Sequence, residues 1–321
     1  MDYRFYSHFG LGGPAFQFTP APRLLFMSDG HREALAALEW AVLHEPSGFT
    51  LLIGETGTGK STLVSAILVR HYAGVRIARV SSPKLGFDSM LREIASQLGI
   101  GVRPNKSGML RAFDRFLAHL QRGQRVVIIV DEAQGLNDET LEEIRLFSNR
   151  GRVDEKQIHF VLVGQPELLR RLARPELRQL NDRIGARAAL NSLTPREALS
   201  YVDSRTRAYG AGAAQIFGRG ALSYLINHSG GIPRRINVLC HNAMLIAYSA
   251  GRREVDLFSA RVAVSEFENL FAGVRPFARM RADSARRRQR FLRAAAPVAG
   301  LLALGLLSFG VTFVWASHAV H

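Results

Sequence analysis

Cysteine occurs once in 321 residues, at Cys240. A lone thiol excludes an intrachain disulfide and any thiolate-held metal cluster, and leaves the ordinary role of a small buried apolar residue. The ten histidines form no HExxH and no Cys/His pair at ligand spacing, so there is no zinc signature. Lysine is nearly absent: Lys60, Lys84, Lys106 and Lys156 stand beside 38 arginines. That bias is what a GC-rich coding sequence produces, and by itself it does not argue for nucleic acid. The N-terminus, MDYRFYSHFG, has no apolar stretch of the kind a cleaved signal peptide needs. What remains is 47% apolar and 21% charged, a globular composition rather than a disordered one. The length allows two modest domains, or one core with an accessory lid.

Charge is absent from residue 294 onward. Ala294 to Ala316, AAAPVAGLLALGLLSFGVTFVWA, is long enough as a helix, about 34 Å, to cross a hydrocarbon core. Trp315 stands near its end, where an indole favours the interface. Just before it, eight arginines between Arg275 and Arg293 face a single acid, Asp283, and so carry +7 of the net +15. Positive flanks stay cytoplasmic. The expectation is a single-pass protein of a bacterial inner membrane, with residues 294–316 as the transmembrane helix and the long N-terminal part in the cytoplasm.

The strongest local pattern is GETGTGKS, directly after the apolar run Phe49 to Ile53 and before KSTLVSAILVRHY. Strand, glycine-rich loop and helix in that order form a phosphate-binding loop. Gly54, Gly57 and Gly59 let the backbone curl so that N–H groups around Glu55, Thr56 and Thr58 turn toward phosphate oxygens. The dipole of the following helix adds to the attraction at Lys60, Ser61 and Thr62. Lys60 is the expected ligand of the β- and γ-phosphates of ATP, and Ser61 of Mg²⁺. Downstream, Arg125 to Val130 reads as a fully buried strand ending in Asp131 and Glu132. Asp131 is the candidate for holding Mg²⁺ through water, and Glu132 for polarising the attacking water. A further buried strand, Ile158 to Val163, ends in Gly164-Gln165-Pro166. Gln165 is the candidate sensor of the γ-phosphate; the competing assignment is a loop residue before a proline-started helix.

Taken in order, these segments resemble an AAA+ ATPase of the ASCE group and, more narrowly, the general secretion pathway protein A (ExeA-type) family. The resemblance is carried by HFGL…FQFTPAPRLLFMSDGHREAL, the phosphate loop, VDEAQ, VGQPEL, LRQLNDRIGAR and SGGIPRRINVLCHNAMLIAY, over residues 8 to about 250. It implies two further sites. Arg183, or else Arg187, would be an arginine finger offered to a neighbouring subunit, which implies a homo-oligomer, with a ring as the expected form. Arg234, or its neighbour Arg235, would be a second sensor reaching the γ-phosphate from a lid. Similar proteins often continue into a periplasmic region that binds peptidoglycan. This sequence stops at His321, five residues past the span, so coupling across the membrane is expected to need a partner.

The predicted fold class is α/β, an AAA+ parallel sheet between helices, then a small all-α lid and one C-terminal transmembrane helix. Strands are expected at 49–53, 75–80, 125–130, 158–163 and 186–190. The resemblance implies the strand order in which the Gln165 strand lies between the other two site strands. The capping box Thr194-Pro-Arg-Glu197 marks a helix start, and helical patterns follow at 195–208, 218–229, 233–249 and 258–271. The expected organisation is an N-terminal segment and helix (1–48), the ATPase domain (49–193), the lid (194–272), an arginine-rich linker (273–293) and the span (294–316). The expected function is a membrane-anchored ATPase that assembles or regulates an envelope machine for protein secretion or polysaccharide export, with an envelope protein as partner. The alternatives are a DNA-associated ATPase of the replication or transposition type and a nucleotide-gated scaffold. With no helix-turn-helix or zinc finger recognisable, nucleic acid is the less favoured partner.

Overall fold

Three segments are buried at almost every position: β1 (Phe49–Gly54), β3 (Arg125–Val130) and β4 (Ile158–Gly164). Two others are mostly accessible, with two buried residues each: β2 (Val75–Val80) and β5 (Ile184–Leu190). The first pattern belongs to strands covered on both faces, the second to edges. The computed structural model arranges them accordingly, in one parallel five-stranded sheet of order β2-β3-β4-β1-β5. It describes residues 3–17, 26–81, 86–101, 103, 105–152 and 154–271. The linker expected at 273–293 and the transmembrane helix expected at 294–316 lie outside them. Among the described residues no helix is long and apolar enough to cross a membrane.

The helices are α1 (Tyr3–His8), α2 (Asp29–His44), α3 (Lys60–Leu68), α4 (Phe87–Leu98), α5 (Lys106–Ala118), α6 (Asp138–Phe147), α7 (Pro166–Leu172) and α8 (Arg178–Asn181). After β5 come α9 (Pro195–Arg207), α10 (Ala213–Ile216), α11 (Arg219–Ser229), α12 (Pro233–Ser249) and α13 (Leu257–Phe271). Alternation along the strands sorts the core into two layers. Leu51, Ile128, Phe160 and Leu162 face Leu91 of α4, Phe113 of α5, Ile144 of α6 and Leu168 of α7. Leu52, Val127, Ile129 and Val161 face Leu38 of α2 with Leu63 and Ile67 of α3. Parallel strands all point the same way, so the loops after β1, β3 and β4 gather at the carboxyl end of the sheet.

α9 starts as its sequence indicates. The Thr194 hydroxyl accepts from the Glu197 N–H, and the Glu197 carboxylate accepts from the Thr194 N–H at 2.9 Å. Residues 3–17 run over the C-terminal helices. The buried Arg205 guanidinium donates to the carbonyls of Ala15 (2.8 Å) and Gln17 (2.9 Å), and Phe5 packs edge-on against Tyr248. One compact unit spans residues 1–263, and the end of α13 from residue 264 belongs to another.

One buried group makes the fold sensitive to acid. His159 of β4 is 1% exposed, with Nε2 3.0 Å from the Thr50 hydroxyl of β1. Burial, with Arg125 adding to it, pushes its pKa down from 6.5 to about 3. Between those values the unfolded chain binds a proton that the folded chain refuses, so stability falls as pH drops through that window. Denaturant unfolding should lose about 1.4 kcal/mol per pH unit to this group below pH 6. His159→Leu should remove that component of the slope; an unchanged slope would sink the assignment.

Candidate nucleotide-binding site

The loop Gly54 to Gly59 links β1 to α3 at the carboxyl end of the sheet. It closes on itself through the Thr58 hydroxyl, which donates to the Glu55 carbonyl at 2.9 Å. Gly57 and Gly59 sit at φ +87° and +110°, where a side chain is strained. Space is lacking there too: a Cβ on Gly57 would come within 2.5 Å of the Arg234 Cβ, and one on Gly59 within 2.7 Å of His31 Nε2. Gly59 is the N-cap of α3 and has no side chain to satisfy the first-turn donors. The start of α3 therefore presents N–H groups and the positive end of its dipole.

Lys60 is almost wholly buried, and its ammonium donates to the carbonyls of Gly54 (2.6 Å) and Glu55 (3.0 Å). Burial lowers its pKa, and the charges of Glu132, Asp131 and Glu55 oppose that shift. His31 of α2 braces the same loop from beneath. Its Nε2–H donates to the Thr58 carbonyl at 3.1 Å, while Nδ1 lies 2.6 Å from the Ser28 hydroxyl. Burial holds its pKa below the usual imidazole value, which keeps Nδ1 free to accept.

Asp131 and Glu132 follow β3 directly. Asp131 is buried, and both its oxygens are engaged: Oδ2 accepts from Arg79 Nη2 at 2.7 Å and Oδ1 from the Glu132 N–H at 3.0 Å. Glu132 is the one non-glycine residue with positive φ among the described residues (φ 53°, ψ 37°). Such a backbone costs about 1–3 kcal/mol and persists where its surroundings fix it. The Glu132 carboxylate accepts from the side-chain amides of Gln134 and, at 3.4 Å, Gln165.

Above the loop, α12 brings its N-terminus down. The Arg234 N–H donates to the Gly57 carbonyl at 3.2 Å. A cleft results, lined by Thr56, Gly57, Gly59, Lys60, Ser61, Thr62 and Glu132 on one side and by Tyr201, Arg205, Pro233, Arg234 and Asn237 on the other, with Gln17 at its rim. Of the two adjacent arginines, Arg234 lines the cleft and Arg235 does not. Arg183 and Arg187 stand elsewhere. Ile184 pairs with Phe49 at the start of β1, and Leu190 with Gly54 at its end. Arg183 is thus at the far end of the sheet, about 17 Å from the phosphate loop along the strand. Its guanidinium donates to Asn149 Oδ1 at 2.6 Å, and that of Arg187 to the Asn181 carbonyl and side chain.

The donor set fits a nucleoside triphosphate. A buried ammonium, an uncapped helix start and Arg234 offer positive charge to phosphates, and the Ser61 hydroxyl with Asp131 is the hard-oxygen set that Mg²⁺ prefers. Because Arg79 already engages Asp131, a water-bridged contact suits it better than a direct one. Sequence reasoning gave no role to His31, Arg79, Gln134, Tyr201 or Asn237. His31, Gln134 and Asn237 lie inside motifs that carried the family resemblance, and that was the only signal for them.

Residues 43–172 match the AAA domain family. General secretion pathway protein A of Aeromonas hydrophila is 39% identical over 252 residues, 77% of this chain and 45% of that protein. The Mu-like prophage FluMu DNA transposition protein B of Haemophilus influenzae is 30% identical over 158 residues, 49% of this chain and 51% of that one. The chain spans about half the length of these curated relatives. Among solved structures, the ORC2 protein of Aeropyrum pernix in its ADPNP–ADP complexes superposes with a TM-score of 0.58 at 21% identity, over 78% of this chain and 71% of that chain.

Proposed function

We propose, from the premise that this chain belongs to the AAA+ ATPases and is a relative of general secretion pathway protein A, that it binds ATP with Mg²⁺ and hydrolyses it to assemble or regulate an envelope machine. One observation carries the hydrolytic part: Lys60, Ser61, Glu132 and Arg234 line a single cleft above the uncapped start of α3. In it Lys60 and the loop N–H groups would hold the β- and γ-phosphates. Ser61, and Asp131 through water, would hold Mg²⁺, which when bound neutralises charge on the phosphate oxygens. Glu132 accepts the proton of the attacking water. Gln165 and Arg234 orient the γ-phosphate, and Arg183 stabilises its charge from the next subunit of a homo-oligomer.

The proposed organisation keeps residues 49–193 as the ATPase domain and 194–272 as the lid. Residues 273–293 and 294–316 serve as basic linker and inner-membrane anchor, with the ATPase facing the cytoplasm. The similarity to general secretion pathway protein A supports an envelope partner, in protein secretion or polysaccharide export. The similarity to a DNA transposition protein favours the second reading, a DNA-associated ATPase.

The experiment is ATP turnover by the full chain in vesicles beside Lys60→Ala, which should bind ATP about 100-fold more weakly through loss of a charge-assisted contact. Turnover unaffected by Lys60→Ala would overturn the site. Salt-dependent DNA binding with DNA-stimulated turnover, and no membrane association, would favour the second reading.

A further inference from the structure

The VDEAQ segment ends on a residue that the proposed chemistry does not use. After Glu132 the chain makes one 3₁₀ turn, Ala133–Gly135, closed by the Gly135 N–H donating to the Glu132 carbonyl at 2.8 Å. The turn carries Gln134 between two strand ends. Its side-chain Nε2 donates to Glu132 Oε2, and its Oε1 accepts from the Gln165 backbone N–H at 3.1 Å. Gly164 leaves room for that crossing, since a Cβ there would lie 3.1 Å from the Gln134 Oε1.

A second tie runs in parallel. Pro166 starts α7 immediately after Gln165, and α7 sends Arg171 back to the same turn. The Arg171 guanidinium donates to the carbonyls of Gln134 (2.9 Å) and Leu136 (2.6 Å) and pairs with Asp138. The backbone of Gln134 is thereby fixed from the α7 side, while its side chain spans from the loop after β3 to the loop after β4.

Glu132 needs such a hold. It is exposed, its backbone is left-handed, and its other side-chain bond, to Gln165 Nε2, is long at 3.4 Å. We propose that Gln134 is a positioning residue for Glu132, fixing the carboxylate against the Gln165 loop through one amide that donates at one end and accepts at the other. Both carboxylate bonds are to Oε2, so Oε1 is the oxygen that takes the proton from water. A glutamate at 134 would keep the acceptor for the Gln165 N–H but put a second negative charge beside Glu132. A methionine would keep the length and lose both bonds. This inference rests on Glu132 being the general base.

The test uses the full chain with Gln134→Met and Gln134→Glu, reading kcat and KM for ATP, equilibrium binding of a fluorescent ATP analogue, and the thermal midpoint. A misdirected base costs turnover without costing binding. Gln134→Met should therefore lose about 10- to 100-fold in kcat with analogue affinity within twofold, while Gln134→Glu should lose as much in kcat and also bind the analogue more weakly, because it adds a negative charge beside Glu132. Combined with Glu132→Gln, either should cost nothing further, because the group that Gln134 positions is already gone. Should one variant fail to fold, the other decides. Turnover within twofold of the unmodified chain for a folded variant, or a loss that multiplies with that of Glu132→Gln, would overturn the role of Gln134 alone. Full turnover by Glu132→Gln itself would instead remove the base, and the proposed chemistry with it.

Discussion

Glu132→Gln should lower ATP turnover by about 10²- to 10⁴-fold and leave ATP bound, so that the variant retains labelled nucleotide that the unmodified chain releases as ADP. Glutamine matches glutamate in length and can occupy the left-handed backbone at the same cost, so the loop after β3 keeps its shape. Its amide oxygen still accepts from Gln134 and Gln165, which preserves the contacts made by Oε2. What disappears is the basic oxygen able to take a proton from water. Removing a negative charge from a cleft built for phosphates also favours binding, so affinity should hold or rise. The contrast with Lys60→Ala is diagnostic, because that change removes the buried ammonium and should weaken binding itself. Rapid filtration of labelled ATP beside steady-state turnover separates the two. A Glu132→Gln chain turning over at the unmodified rate would mean that another group accepts the proton.

Where the sequence speaks clearly, local chemistry is the reason. β1, β3 and β4 are runs of apolar residues because both faces of a central parallel strand are covered, and their limits lie within one residue of those expected. β5 starts at Ile184 rather than 186, since this edge strand is buried only at its two ends and the exposed Gly185 follows directly on Ile184. The four-residue α10 is too short to leave a period. The phosphate loop is legible for a similar reason: Gly57 and Gly59 must turn where no other residue can, and Lys60 follows at once. The partners of that loop are another matter. His31 meets Thr58 across 27 positions, Arg79 meets Asp131 across 52, and Arg205 meets Ala15 across 190. None of these pairings has a periodic or spacing signal, because each exists only after the sheet order is set. Arg79 matters most among them, since by engaging Asp131 it favours a water-bridged contact with a metal over a direct one.

Arg183→Ala should lower turnover by about 10³-fold while ATP binding stays within a few-fold, and the defect should be repaired by a second copy of the chain. The register of β5 against β1 makes the case. Arg183 lies at the end of the sheet opposite Gly54, so its guanidinium cannot span the distance to the phosphates of its own loop. Its present partner is the neutral oxygen of Asn149, which also accepts from Lys156 at 3.0 Å. Two cations sharing one uncharged acceptor repel each other: burial first, and the charge of Arg183 second, hold the pKa of Lys156 below its usual value. An anion arriving from outside relieves that repulsion, and a neighbour's γ-phosphate is such an anion. Arg187 is a weaker candidate, because its guanidinium makes two bonds to Asn181 of its own chain where Arg183 makes one, to Asn149. Mixing decides between cis and trans. Chains with Arg183→Ala keep Glu132, and chains with Glu132→Gln keep Arg183, so each is inactive alone. A random one-to-one mixture should recover up to about a quarter of the unmodified turnover, from interfaces that pair an intact base with an intact finger. A finger acting in cis would recover nothing. Arg183→Lys should rescue little in either setting, because a single ammonium lacks the planar fork that spans two phosphate oxygens.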